Sequence, residues 1–96
     1  MKINELRIYK SRLEARASMR ELHLLNRPEA CSVQLANNTL VIESLAGVYK
    51  VMFVPEGEGM QKFRGSAPHL VYLAKDLIHY NELNEYFSSR CAVVGR

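Results

Sequence analysis

The sequence has little of what marks secreted, membrane-spanning or zinc-binding proteins. It has two cysteines, Cys31 and Cys91, and no C-x-x-C pair, which excludes a zinc ribbon and a thioredoxin-like motif. No apolar run approaches the roughly 18 residues that a transmembrane helix needs. The first residues, Met1–Glu5, reach an acid at once without an apolar stretch, so we expect no signal peptide, reduced thiols and a cytoplasmic protein.

The motifs of the common catalytic sites are missing as well. There is no G-x-S-x-G and no G-x-x-x-x-G-K-[ST], and Gly57, Gly59 and Gly65 do not fit G-x-G-x-x-G because the third glycine comes too late. Asp76 and His79 share a face of a predicted helix, but a third metal ligand at a recognisable spacing is absent. We therefore expect no catalytic residues, no metal, no cofactor and no enzyme activity.

What the chain does contain is an ordinary globular composition. Hydrophobic residues make up 48% and charged residues 24% of the sequence, which argues against disorder. Ninety-six residues can bury one modest core and not two. We predict a single α+β domain over residues 1–96 in the order α-β-β-β-α, with a three-stranded antiparallel meander and two helices packed on one of its faces.

Two segments have helical spacing. Residues 4–26 lack Gly and Pro, with Asn4 as the predicted N-cap. Two apolar stripes on this helix predict packing on two sides, against the sheet and against another helix or subunit. The stripes are Leu6, Tyr9, Leu13, Ala17 and Leu24, and Ile8, Ala15, Met19 and Leu22. A flexible loop is predicted over 55–65, a helix capped by Ser66 over 67–88, and a tail over 91–96 that is either an added strand or a frayed end.

Residues 31–54 read as three strands because β-branched and apolar residues alternate between two turn signals. Turns at Asn37–Asn38 and Ala46–Gly47 place Glu43 opposite Lys50. The same register gives one apolar face, made of Val33, Leu35, Leu40, Ile42, Val51 and Phe53. The opposite face is half apolar and carries Val41, Met52 and Val54.

The charges are uneven along the chain. Residues 1–27 hold seven bases and three acids, whereas the rest of the chain holds six bases and seven acids. Five cationic side chains form one stripe on the first predicted helix: Arg12, Arg16, Arg20, His23 and Arg27. The stripe is either an anion-binding ridge or a solvated flank that pairs with Glu82 and Glu85 of the last helix. A weak anion site at the last helix could use Ser66, Lys62 and Arg64.

The predicted function is a small non-catalytic protein-binding or regulatory module that acts as a homodimer. The motivation is a doubly apolar first helix, a half-apolar outer sheet face and the lack of a catalytic constellation. The alternative is a nucleic-acid-binding protein that uses the arginines of the first helix. No membrane association is expected. The candidate binding surface consists of Arg12, Arg16, Arg20, His23, Arg27, Val41, Met52 and Val54.

Overall fold

The computed structural model describes residues 2–26, 32–36 and 38–95. Within these ranges the chain is a small α+β domain with three α-helices and a six-stranded mixed sheet. The strands are β1 (Lys2–Tyr9), β2 (Ser32–Ala36), β3 (Thr39–Ser44), β4 (Gly47–Pro55), β5 (Leu70–Leu73) and β6 (Ala92–Gly95). The helices are α1 (Arg12–Asn26), α2 (Gly59–Ser66) and α3 (Tyr80–Ser88), with a 3-10 turn at Glu56–Glu58. The strand order is β2-β3-β4-β1-β5-β6.

The central strand β1 corrects the predicted first helix. Residues 2–9 pair in parallel with both β4 and β5, and only Arg12–Asn26 are helical. Leu6, Ile8 and Tyr9 are all buried because helices cover both faces of this strand, and a strand buried on both faces loses the alternation that identifies strands. The helix begins after Ser11, whose Oγ accepts a hydrogen bond of 3.2 Å from the backbone N–H of Glu14.

The helices lie on opposite faces of the sheet, so the prediction that both pack on one face is wrong. Successive residues of a strand point to opposite faces. The Tyr9 side chain interacts with Ser18 of α1, whereas the preceding residue, Ile8, lies against Gly59 of α2. The rings of Phe63 in α2 and Phe87 in α3 are 4.8 Å apart, so these two helices share a layer. Both faces of the sheet are apolar, and each needs its own cover.

Strands β2, β3 and β4 form the predicted antiparallel meander as one part of the larger sheet. Val33 pairs with Ile42 and Leu35 pairs with Leu40, as the first turn predicted. Asn37 of that turn lies outside the described residues. The described members of the predicted apolar face are all buried: Leu40, Ile42, Val51 and Phe53.

The second hairpin is shifted by two residues from the predicted register. Its turn is at Leu45–Ala46, so Glu43 pairs with Val48 instead of Lys50, and the predicted opposite-charge pair is wrong. The Ser44 hydroxyl accepts a hydrogen bond of 3.3 Å from the backbone N–H of Ala46 and so stabilises this turn. A shift of two residues keeps every side chain on its predicted face, which is why the core prediction survives.

The last third of the chain corrects the predicted loop and helix. Residues 59–66, expected in a flexible loop and at an N-cap, form α2. This helix ends at Ala67, whose φ of 44° is left-handed and which precedes Pro68. Residues 70–73 then form β5 beside β1, and the tail supplies the strand β6. Leu73, Leu77 and Phe87 of the predicted helix 67–88 are all buried, although only Phe87 lies in a helix.

Candidate functional site

Helix α1 presents three different surfaces. Its inner face packs Ala15, Met19 and Leu22 against the core. At 100° per residue the opposite face carries Leu13, Ala17 and Leu24, which are all exposed and which we call the outer stripe. The bases occupy one flank between these faces, and Glu14 and Glu21 occupy the other. The helix is thus buried on one side and apolar on its solvent side as well.

The predicted cationic stripe is real on the described part of α1, but its surroundings differ from the prediction. Arg12 forms an ion pair with Glu58, which follows β4, and not with Glu82 or Glu85, whose helix lies on the other face of the sheet. Arg16 and Arg20 are exposed, and His23 is half-buried. Arg27 lies outside the described residues.

The predicted outer sheet surface is only partly open. Val41 and Met52 are half-buried on β3 and β4. Val54 is fully buried, because it pairs with Ile8 in the layer that α2 covers. Val54 is therefore a core residue and not part of a binding surface.

The outer stripe is the most exposed apolar part of α1. Leu13 is 80% exposed and Leu24 is 65% exposed, and Leu25 beside it is also exposed. Single exposed leucines are ordinary on protein surfaces, but several on one helix face are typical of an interaction surface.

Two adjoining clefts lie beside the cationic flank of α1. One, of about 360 Å³, is lined by Arg12, Arg16, Glu58 and Lys62, with Phe53 among its apolar residues. The other, of about 690 Å³, shares Glu58 and Lys62 and adds Glu5, Lys50, Met52 and Gln61. The two clefts connect the predicted arginine stripe to Met52 of the predicted sheet surface. The sequence does not show that Lys50 and Glu58 lie near these arginines. Lys50 belongs to β4 and Glu58 to the turn that follows it, and only the tertiary fold brings them beside α1.

A third cleft, of about 660 Å³, lies between the ends of β1 and β4 and the start of α3. Met60, Leu83 and Tyr86 give it an apolar wall, and Lys10 and Glu82 lie at its polar side. The Glu56 carboxylate accepts hydrogen bonds from the backbone N–H groups of Ile78 at 3.0 Å and His79 at 2.6 Å. Glu56 therefore ties the start of α3 to the end of β4.

A charged pair with a buried acid and a partly buried base lies on the same face of β1 as Tyr9, and the prediction of a helix over residues 4–26 hid it. Glu5 is only 4% exposed and forms an ion pair with Arg7 two residues along β1. The Arg7 guanidinium lies 5.7 Å from the centre of the Phe53 ring and 5.3 Å from that of Tyr72, which are cation–π distances. The period-two placement of Glu5, Arg7 and Tyr9 was the available signal.

The environment of this pair favours the ionised arginine. Burial lowers the pKa of Arg7, but the hydrogen bond and charge of Glu5 and the hydroxyls of Tyr49 and Tyr9 raise it by more, so its pKa lies above the ordinary value. Burial raises the pKa of Tyr9 and Tyr49. These tyrosines therefore remain protonated at neutral pH. The arrangement is a satisfied polar network inside the sheet.

The described residues contain no group of three or more His, Cys, Asp or Glu side chains that could hold a metal ion. Cys91 is a half-buried free thiol whose pKa is raised by burial, and Cys31 lies outside the described ranges. No described helix is long and apolar enough to cross a membrane.

Fold and surfaces define a small α+β domain with one helix that is apolar on its solvent side and basic on one flank. No family model, no curated protein and no solved structure matches the chain.

Proposed function

We propose that the protein is a non-catalytic protein-binding module of the regulatory kind that acts as a homodimer, with the outer stripe of α1 as its interface. The observation that carries the proposal is the exposure of Leu13 and Leu24 on the solvent side of a helix whose opposite side is already buried. A helix with apolar residues on both sides gains stability when its second side is covered.

The spacing of the outer stripe favours a second helix of the same kind as its cover. Leu13, Ala17, Arg20 and Leu24 follow one another at intervals of 4, 3 and 4 residues, which is the spacing that packs two helices side by side in coiled coils. Only Arg20 interrupts the apolar pattern. The small side chain of Ala17 allows two helices to approach closely at this point.

Charge favours a parallel pair of α1 helices. The bases lie on one flank and the acids on the other. An antiparallel pair places each basic flank against the same flank of the other copy, whereas a parallel pair places it against the acidic flank. In the parallel pair the flank residue Arg16 of one copy lies within reach of Glu21 of the other, whereas Arg20 faces Arg20 of the other copy and opposes association. We call the four positions Leu13, Ala17, Arg20 and Leu24 the seam. Because it is this short, we expect a dissociation constant of about 1–100 µM, which is a free energy of association of roughly −5 to −8 kcal/mol.

Replacing Leu13 and Leu24 together with Ser is expected to abolish the dimer. Both side chains are exposed in the single chain, so the variant should fold normally and lose only the apolar seam. Sedimentation equilibrium between about 1 and 500 µM, which covers the expected range of the dissociation constant, measures the effect. Ile78→Ser, which removes an equally exposed side chain elsewhere, is the control. A wild-type protein that stays monomeric over this range contradicts the proposal.

Replacing Arg20 with Leu is expected to tighten the dimer about tenfold. The substitution completes the apolar seam and removes a charge whose desolvation opposes association. The dissociation constant of Arg20→Leu against that of wild type, again from sedimentation, checks this result. Arg64→Leu, an exposed arginine on α2, should leave the constant unchanged. If Arg20→Leu weakens association, the seam does not run through this position.

A further inference from the structure

The two clefts beside the cationic flank of α1 concentrate positive charge from three different elements. Arg12 and Arg16 come from α1, Lys62 from α2 and Lys50 from β4. Glu58 is common to both clefts and is the only acid that lines the smaller one. The bases approach from both faces of the sheet, so this convergence is a product of the tertiary fold and not of helix periodicity.

Two acids line the clefts, and each is already paired with a base: Glu5 of the larger cleft pairs with Arg7 of β1. Glu58 forms an ion pair with Arg12, while Arg16 and Lys62 have no acidic partner of this kind among the described residues. The smaller cleft therefore keeps a net positive charge when Glu58 and Arg12 cancel. A partly exposed ion pair is weak, so an incoming anion can compete with Glu58 for Arg12.

We propose that these two clefts form a binding site for the phosphate group of a nucleotide, either free or as part of a nucleic acid. Guanidinium and ammonium groups are the side chains that bind phosphate oxygens best. The half-buried Met52 in the larger cleft gives apolar surface against which a base or sugar can pack. Gln61 offers amide hydrogen bonds to the same ligand.

The clefts include none of Leu13, Ala17 and Leu24 of the outer stripe. Arg12 and Arg16 do lie on the basic flank that the proposed parallel dimer sets against the acidic flank of the other copy, so the two proposals share these arginines. Lys50 and Lys62 belong to the clefts alone, and a loss of phosphate binding in Lys62→Gln with an unchanged dimer separates the two. Binding should also respond to salt, because neutralising phosphates releases counterions, whereas an apolar seam should barely respond.

The decisive test measures binding of adenosine monophosphate, a single-stranded oligonucleotide and inorganic phosphate at low salt by fluorescence anisotropy and NMR titration. Glu58→Gln is expected to strengthen binding of all three about three- to tenfold, because it removes the competing anion and frees Arg12. Lys62→Gln is expected to weaken binding by a similar factor. Arg64→Gln is the matched control, because it removes the same charge from the same helix at a position that lines neither cleft.

The outcomes separate the two sources of phosphate. Stronger binding of the oligonucleotide, with a salt slope of two or more units, identifies nucleic acid, and equal binding of the oligonucleotide and the monophosphate identifies a free nucleotide. The proposal is overturned if none of the three probes binds, if Glu58→Gln binds no better than wild type, or if Arg64→Gln loses as much as Lys62→Gln. Circular dichroism of each variant checks that the fold is retained.

Discussion

Replacing Arg7 with Met is expected to lower the free energy of unfolding by about 3–5 kcal/mol, because it leaves the buried Glu5 carboxylate without its counter-ion. Glu5 lies in the central strand and is 4% exposed, so water hydrates its carboxylate poorly once the arginine is removed. The cation–π contacts of Arg7 with Phe53 and Tyr72 are lost at the same time. Urea unfolding of wild type and variant, followed by circular dichroism, measures the change.

A double variant distinguishes a lost ion pair from lost packing. Removing both charges with Glu5→Leu and Arg7→Met should cost less than Arg7→Met alone, since apolar replacement of a whole buried pair is often neutral or stabilising. If the loss of unfolding free energy in the double variant equals the sum of the losses in Glu5→Leu and Arg7→Met, then lost packing, and not the unpaired charge, explains the effect of Arg7→Met.

Replacing Phe87 with Ala is expected to cost about 3–5 kcal/mol, as full truncation of a buried aromatic side chain does. Phe87 is 0% exposed and its ring lies 5.2 Å from that of Tyr86 and 4.8 Å from that of Phe63. It therefore joins α3 to α2 and both to the sheet. Ile78→Ala serves as the control, since Ile78 is 75% exposed and should change stability by less than about 0.5 kcal/mol. Similar losses in the two variants would contradict this packing.

The sequence predicts which residues of this protein are buried better than it predicts the helices and strands in which they lie. Leu73 and Leu77 lie four residues apart inside the segment predicted as a helix, yet they are buried in a strand and a loop. Apolar spacing shows that a side chain is needed inside, but a short apolar run does not distinguish a helix from a strand covered on both faces. Leu6 and Ile8 of β1 were misassigned for the same reason.

The sequence predicts only those parts of the candidate site whose residues lie close together along the chain. The alignment of Arg12, Arg16 and Arg20 follows from helical periodicity, which needs no tertiary information. The position of Lys62 beside these arginines does not follow from helical periodicity. Lys62 lies in α2, and α2 is placed near the arginines only by the arrangement of the strands in the sheet. Val54 was misplaced because its face is covered by α2, a helix that lies in the predicted loop.

The central position of β1 also decides when the protein can fold during synthesis. This strand leaves the ribosome before its neighbours β4 and β5, of which β5 follows much later, and the hydrogen bond between Asn4 and His69 spans 65 residues. Contacts between such distant residues are slow to form because a long loop must close first. The apolar side chains of β1 therefore stay uncovered until most of the chain is made, a period in which a chaperone can bind this strand.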